Sequence, residues 1–236
     1  LLTFDDGFID HYTYVLPRLV DRGLRAAFYP PAAPITEHAL LDVHRVQFIL
    51  ASAPSIQDVR VELEALIRES MSTDEIGEMR ATWEPPNALD TADVIFIKRT
   101  LQVALPPNLR RDFCSRLFER FVSVDEQAFA EELYMDAEHL KLMRRLGMHI
   151  GSHANTHEWL SHLTPAQQHQ EVEASLRMLA SIGVETEGGW TIAFPYGDRN
   201  EITRETIHTL GCAAAFTTEP RLAQPKTDGM LDLPRI

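Results

Sequence analysis

Cysteine is nearly absent. The two that occur, Cys114 and Cys212, lie far apart and share no metal-type spacing with other ligands. That excludes a disulfide framework and reads as two reduced, packed thiols, which leans toward a cytoplasmic rather than a periplasmic or secreted setting. Positive charge is also scarce: 22 Lys and Arg stand against 35 Asp and Glu in 236 residues, for a formal charge of −13. An acidic balance argues against nucleic acid or an anionic membrane surface as the main partner. No uninterrupted apolar run reaches the roughly 20 residues that a membrane-spanning helix needs. Internal repeats and low-complexity tracts are missing as well. The sequence opens at Leu1, already in a strand-like run, so a preceding signal peptide is left open. What remains, 44% hydrophobic and 24% charged residues, is the balance of a folded soluble domain, long enough for one large core or two small domains.

The first 35 residues read as strand, helix, strand. Leu1–Phe4 is apolar and stops at the turn signal Asp5-Asp6-Gly7. Tyr12, Leu16, Leu19 and Val20 follow at helical spacing until Gly23, with Pro17 tolerable only in a first turn or at a kink. Arg25–Tyr29 is the second strand, closed by Pro30, Pro31 and Pro34. Such a unit implies a parallel pair with a right-handed crossover.

Residues 38–133 change character. Ile56, Val59, Leu63, Leu66 and Ile67 make one amphipathic stripe, and Leu109, Phe113, Leu117 and Phe121 another. Val94–Ile97 is ambiguous by period, but the following Lys98–Leu101 favours helix. Trp83–Asn87 is the clearest linker. The stretch reads as a helical insertion within one domain that spans 1–236.

Alternation then resumes. Asp136 caps a helix through Leu146; Met148–Gly151 is a strand; Thr164, with Pro165 and Gln167, opens a helix to Gly183. Trp190–Phe194 is a strand stopping at Pro195-Tyr196-Gly197, a short helix starts at Asn200, and Ala213–Phe216 is the last strand. Repeated strand–loop–helix units predict a mainly parallel α/β fold, plausibly a barrel.

Three polar clusters fall at the C-terminal ends of three of these strands: Asp5-Asp6, the segment His153–His157, and Pro195–Asp198. Parallel α/β folds build their sites on that edge. Each cluster taken alone is weak. An Asp-Asp-Gly is more often a turn with a capping Asp, and two His four apart occur by chance in a chain with ten. On a helical turn, however, His153 and His157 would share a face and reach one ion, and an Asp from another strand end would complete two imidazoles and a carboxylate. Such a set has open positions and suits Zn²⁺, with Fe²⁺, Co²⁺ or Ni²⁺ as alternatives. The other histidines, His11 and His162 among them, read as core or solvated groups. Glu171 and Glu173 read as water-facing acids on an amphipathic helix. Trp159 and Trp190 flank the clusters; either could line a sugar site, although core packing is the usual fate of a Trp.

Leu2-Thr3-Phe4-Asp5-Asp6-Gly7 resembles the first motif of the polysaccharide deacetylase family, the NodB-like carbohydrate esterases. Ser152-His153-Ala154-Asn155-Thr156-His157 is similar to the second motif, and Phe194-Pro195-Tyr196-Gly197 to the third, in the same order. The resemblance covers about residues 1–35 and 133–236. It implies a distorted (β/α) barrel holding one divalent ion on Asp6, His153 and His157, with Asp5 as the general base for the attacking water. The backbone N–H of Tyr196 would help to hold the oxyanion, and Pro195, Tyr196 and Trp159 would lie on the substrate side. The implied activity is hydrolysis of an N-acetyl group on a bacterial glycan or glycan-precursor sugar. Two departures stand out. The third motif usually begins with an Arg that orients the base, and Ala193 stands there. The family's C-terminal Leu-x-His, which supplies the general acid, is not seen, since no His follows His208: another group protonates the amine, the chain is cut short, or catalysis is impaired. These keep two alternatives open: a catalytically impaired barrel that binds carbohydrate, and a related amide hydrolase, a deformylase or ureide hydrolase, on the same scaffold.

Overall fold

The computed structural model describes residues 1–83, 90–224 and 226–236. The chain divides into two compact units, one made of Leu1–Ala39 with Ala130–Ile236, the other of Leu40–Phe129.

The first unit starts with β1 (Leu2–Asp5), then a π-helical turn (His11–Val15) that runs into α1 (Leu16–Asp21). The turn is the answer to Pro17. Proline has no N–H to give and its ring crowds the carbonyl one turn back, and here the Leu16 N–H reaches five residues back to His11. β2 (Ala26–Tyr29) is fully buried, and α2 (Ala32–Glu37) follows it. That helix departs from the expectation of a Pro-closed loop: Pro31 and Pro34 fall before it and in its first turn, where a missing N–H costs no helical bond.

The second unit is helical: α3 (Asp42–Ser52), α4 (Ile56–Ser70), α5 (Thr73–Trp83), α6 (Ala92–Arg99) and α7 (Pro107–Phe121), with α8 (Glu126–Leu133) leading out of it. Its extent is 40–129, against the 38–133 read from the pattern. Ser55 and Thr91 cap α4 and α6 with their side chains. The two stripes meet inside as Val59, Leu63 and Ile67 of α4 and Phe113 and Leu117 of α7, all buried with Ile97 and Leu101. Val94–Ile97 is helical, as the flanking residues indicated. Of the linker expected over 83–87, Trp83 instead ends α5, and the rest lies outside the described residues.

The first unit resumes with α9 (Ala137–Arg145), β3 (His149–Ile150), α10 (Pro165–Ser181), β4 (Trp190–Ala193), α11 (Glu201–Thr209) and β5 (Cys212–Phe216). Asp136, Thr164 and Asn200 each cap their helix in a capping box. The strands form two parallel sheets, β1-β2-β3 and β4-β5, joined by a parallel bridge between Ser152 and Ile192. The chain is thus α/β, with every strand running toward the same edge. One pairing had no sequence signal. Leu233 lies parallel beside Phe216, its N–H on Ala215 at 2.9 Å and its carbonyl on Thr217 at 2.9 Å. Phe28, Ile150, Leu140, Met143 and Leu179 pack under one sheet, and Trp190, Ile192, Phe194 and Ile207 under the other. Both cysteines are free and buried, and burial pushes the Cys212 thiol up to about 12. Among the described residues no helix is long and apolar enough to cross a membrane.

Candidate metal centre

β1 ends at Asp5, and the chain then takes two consecutive left-handed residues, Asp6 at φ +73° and Gly7 at φ +72°. Asp tolerates this region better than most residues, and glycine is required at position 7. A Cβ there would lie 2.9 Å from the Pro30 Cβ. The Asp6 N–H donates to the Tyr29 carbonyl at 3.1 Å, pinning the turn to the end of β2. The turn points the two adjacent carboxylates at different partners.

His153 and His157 converge on Asp6, but not through a helical face. The segment is a loop in which Ala154 (φ +57°) and His157 (φ +60°) are left-handed. Backbone turns, rather than the helical i, i+4 spacing expected of the pair, bring the two rings together. Both Nε2 atoms face Asp6 Oδ1, His153 at 3.5 Å and His157 at 3.4 Å, with the rings edge to face at 4.8 Å. His153 Nδ1 lies 2.5 Å from the Ala193 carbonyl. A carbonyl only accepts, so Nδ1 carries a hydrogen, and in the neutral ring Nε2 presents its lone pair to the site. Burial presses against charging this ring, but the Asp6 hydrogen bond, the charges of Asp5 and Asp6 and the Ala193 carbonyl outweigh it and raise its pKa. One donor atom from each of Asp6, His153 and His157 lies within 4.8 Å of the others, a spacing from which one ion could be held. The donor chemistry, two imidazoles and a carboxylate, fits a divalent transition ion.

The His loop is held from two sides. The Ala32 and Ala33 N–H groups that open α2 donate to the Ala154 and Asn155 carbonyls at 3.1 and 3.0 Å. From α10, Glu171 accepts from the Asn155 N–H at 3.0 Å and from the Thr156 N–H and hydroxyl at 2.8 and 2.7 Å. Glu171 is therefore no water-facing acid. Its amphipathic setting hid a partner 16 residues back in the chain.

The third cluster supplies an aromatic wall. Pro195 is buried and starts a tight turn in which Tyr196 is left-handed at φ +58°. The Tyr196 ring stands edge-on to His157 at 4.6 Å and stacks on Trp159 at 4.7 Å. Pro195 thus offers turn geometry rather than surface, whereas Tyr196 and Trp159 line the imidazole side. Asp198 accepts from the Ser161 N–H and hydroxyl at 2.7 and 2.8 Å, tying this turn to the segment after Trp159.

Both carboxylate oxygens of Asp5 meet Arg235. Nη1 donates to Oδ1 at 2.8 Å and Nη2 to Oδ2 at 2.6 Å, a two-pronged grip. Nothing in the sequence pattern flagged Arg235, which is 230 residues from its partner.

Residues 121–215 match the family model for polysaccharide deacetylase, a span that contains the His loop and the Phe194–Gly197 turn. With Asp5-Asp6-Gly7 folded against them, the three motifs form one site. Over residues 121–215 the chain is thus similar to the polysaccharide deacetylase family. Solved structures similar to it include the Streptococcus pyogenes deacetylase PplD in complex with acetate, at 17% identity and a TM-score of 0.54, covering 100% of this chain and 62% of that one. IcaB from Ammonifex degensii is similar at 16% identity and 0.53, covering 100% of this chain and 66% of that one. A de-N-acetylase from Aggregatibacter actinomycetemcomitans gives 13% and 0.51, with 100% and 68% covered. At these identities the likeness is one of fold, and the chain spans less than two thirds of the first two proteins. No curated protein sequence matches it.

Proposed function

We propose that this chain is a metal-dependent de-N-acetylase of the polysaccharide deacetylase family, acting on a glycan or glycan-precursor sugar. Its scaffold would be the family's distorted (β/α) barrel, continued past β5 by the Leu233 segment. One observation carries the reading: Asp6, His153 and His157 present their donor atoms together at the strand-end edge, beside a second carboxylate, Asp5, that is not among them. A divalent ion, with Zn²⁺ first in line, would supply Lewis acidity, polarising the acetyl carbonyl and making water a better nucleophile.

The chain's own groups do the rest. Asp5 takes the proton of the attacking water, and the carboxyl so formed is a source of the proton that the departing amine needs. The backbone N–H of Tyr196, in its left-handed turn, would donate to the carbonyl oxygen, where negative charge develops. The stacked Trp159 and Tyr196 rings give a sugar an apolar face. The acetate in the Streptococcus pyogenes protein is the acid such a reaction releases.

The test is release of acetate from a panel of N-acetylated sugars and oligosaccharides, with and without a chelator. Release that stops on chelation and returns with added Zn²⁺ supports the reading. Formate release from N-formyl sugars or opening of a cyclic ureide, with no acetate, would move it to the related amide hydrolases. No turnover with retained sugar binding would leave an impaired, carbohydrate-binding barrel.

A further inference from the structure

We infer that Arg235 is the positioning residue for Asp5, supplying from the last segment the guanidinium that position 193 lacks; this rests on the reading of Asp5 as the base. The guanidinium is fixed on every side. Besides its two bonds to Asp5, Nη1 donates to Thr3 Oγ1 at 3.2 Å and Nε to the Thr217 carbonyl at 3.2 Å. Four of the five N–H groups therefore have an acceptor.

The backbone behind it is equally tied. Leu233 pairs beside β5, the Arg235 N–H donates to the Glu219 carbonyl at 3.2 Å, and Asp232 accepts from Arg199 Nε at 2.7 Å. A lone surface ion pair contributes little because two long side chains must be ordered to make it. Here the Arg235 side chain is only 15% exposed and its backbone is already ordered, so the cost of orientation is met before Asp5 is gripped.

What the grip does is set the plane of the carboxylate. A bidentate guanidinium engages one lone pair on each oxygen and leaves the other free for water. A lysine, as a point charge, could not hold both oxygens in one plane. Ala193 is itself fully buried, in a cluster with Ala27 and Tyr29, and carries no guanidinium. The alternative is that Arg235 is a clasp holding the last segment to β1, with no bearing on the reaction.

The experiment measures kcat, KM, bound metal and thermal unfolding for the parent, Arg235→Ala, Arg235→Lys, Asp5→Asn and the Asp5→Asn/Arg235→Ala double variant. A positioning role predicts that Arg235→Ala keeps its ion and loses about 10²-fold in kcat with KM little changed, the scale of a misplaced catalytic group. Arg235→Lys should recover little of this, and added methylguanidinium should restore part of the Arg235→Ala activity. On the Asp5→Asn background, Arg235→Ala should cost nothing further in kcat, because the group it positions is already gone. Should Arg235→Ala fail to fold, Arg235→Lys decides, since it keeps the charge in the segment but not the two-pronged grip. A folded Arg235 variant with parental kcat overturns the inference, and so does a loss of equal size with and without Asp5. A parent that releases acetate from no substrate overturns the de-N-acetylase reading and this inference with it, an outcome distinct from an active parent indifferent to Arg235.

Discussion

Asp5 and Asp6 are neighbours of one chemical type, yet the turn gives them opposite surroundings. Asp6 Oδ1 faces two imidazole nitrogens within 3.5 Å, whereas both oxygens of Asp5 are engaged by a guanidinium. Asn is nearly isosteric with Asp but is neutral and cannot accept a proton at its nitrogen. Asp5→Asn should therefore keep the ion while turnover falls about 10²–10⁴-fold, the range of general acid–base catalysis. Asp6→Asn should instead lose metal, since it removes the one anionic donor of the set. Metal analysis beside acetate release checks both. If Asp5→Asn loses the ion and Asp6→Asn keeps it, the two assignments must be exchanged.

At the scale of elements, helices place the loop that carries the histidines. Glu171 reaches from α10 to three donors on Asn155 and Thr156, so its charge organises the backbone between the two imidazoles. Glu171→Gln keeps the size but can offer one acceptor oxygen where two now serve. The expected result is a 10–100-fold weaker metal affinity, the usual cost of disturbing groups that support a ligand, with unfolding destabilised by about 1–3 kcal/mol. Competition with a chromophoric chelator measures the first and chemical denaturation the second; parental affinity would make Glu171 a bystander. What could be read in advance follows the reach of each interaction. Caps at Asp136 and Thr164, helix stripes and strand ends depend on neighbours three or four residues away, and the structure has them where the pattern put them. The left-handed turns at Ala154 and His157 leave no mark in hydrophobic period. Glu171 and Arg235 look like ordinary surface charges until the fold brings a partner from elsewhere in the chain.

Over the whole molecule, the candidate centre joins two distant stretches of one unit: Asp6 comes from 1–39, the imidazoles from 130–236. Bringing them together carries a loop-closure cost that an ion binding only the folded form offsets by mass action, about 2.7 kcal/mol at a hundredfold excess over Kd. For a chain of this length that is roughly 5–10 °C in Tm. His153 sets the pH dependence. In the metal-free fold its pKa is raised, so its proton stabilises the fold fully below the unfolded value of about 6.5, and that contribution fades as pH rises through the folded value. The ion needs the same Nε2 as a lone pair and must displace that proton. Loaded and chelated protein should therefore have similar Tm in mild acid, and the gap between them should widen as pH rises past the raised His153 value. His149, whose pKa burial lowers, acts on both forms alike and drops out of the difference. Thermal unfolding of the Zn²⁺-loaded and chelated protein from about pH 5.5 to 8 spans the imidazole range and measures the gap. A gap constant across that range would mean that binding displaces no imidazole proton, and the two imidazoles would then not be ligands.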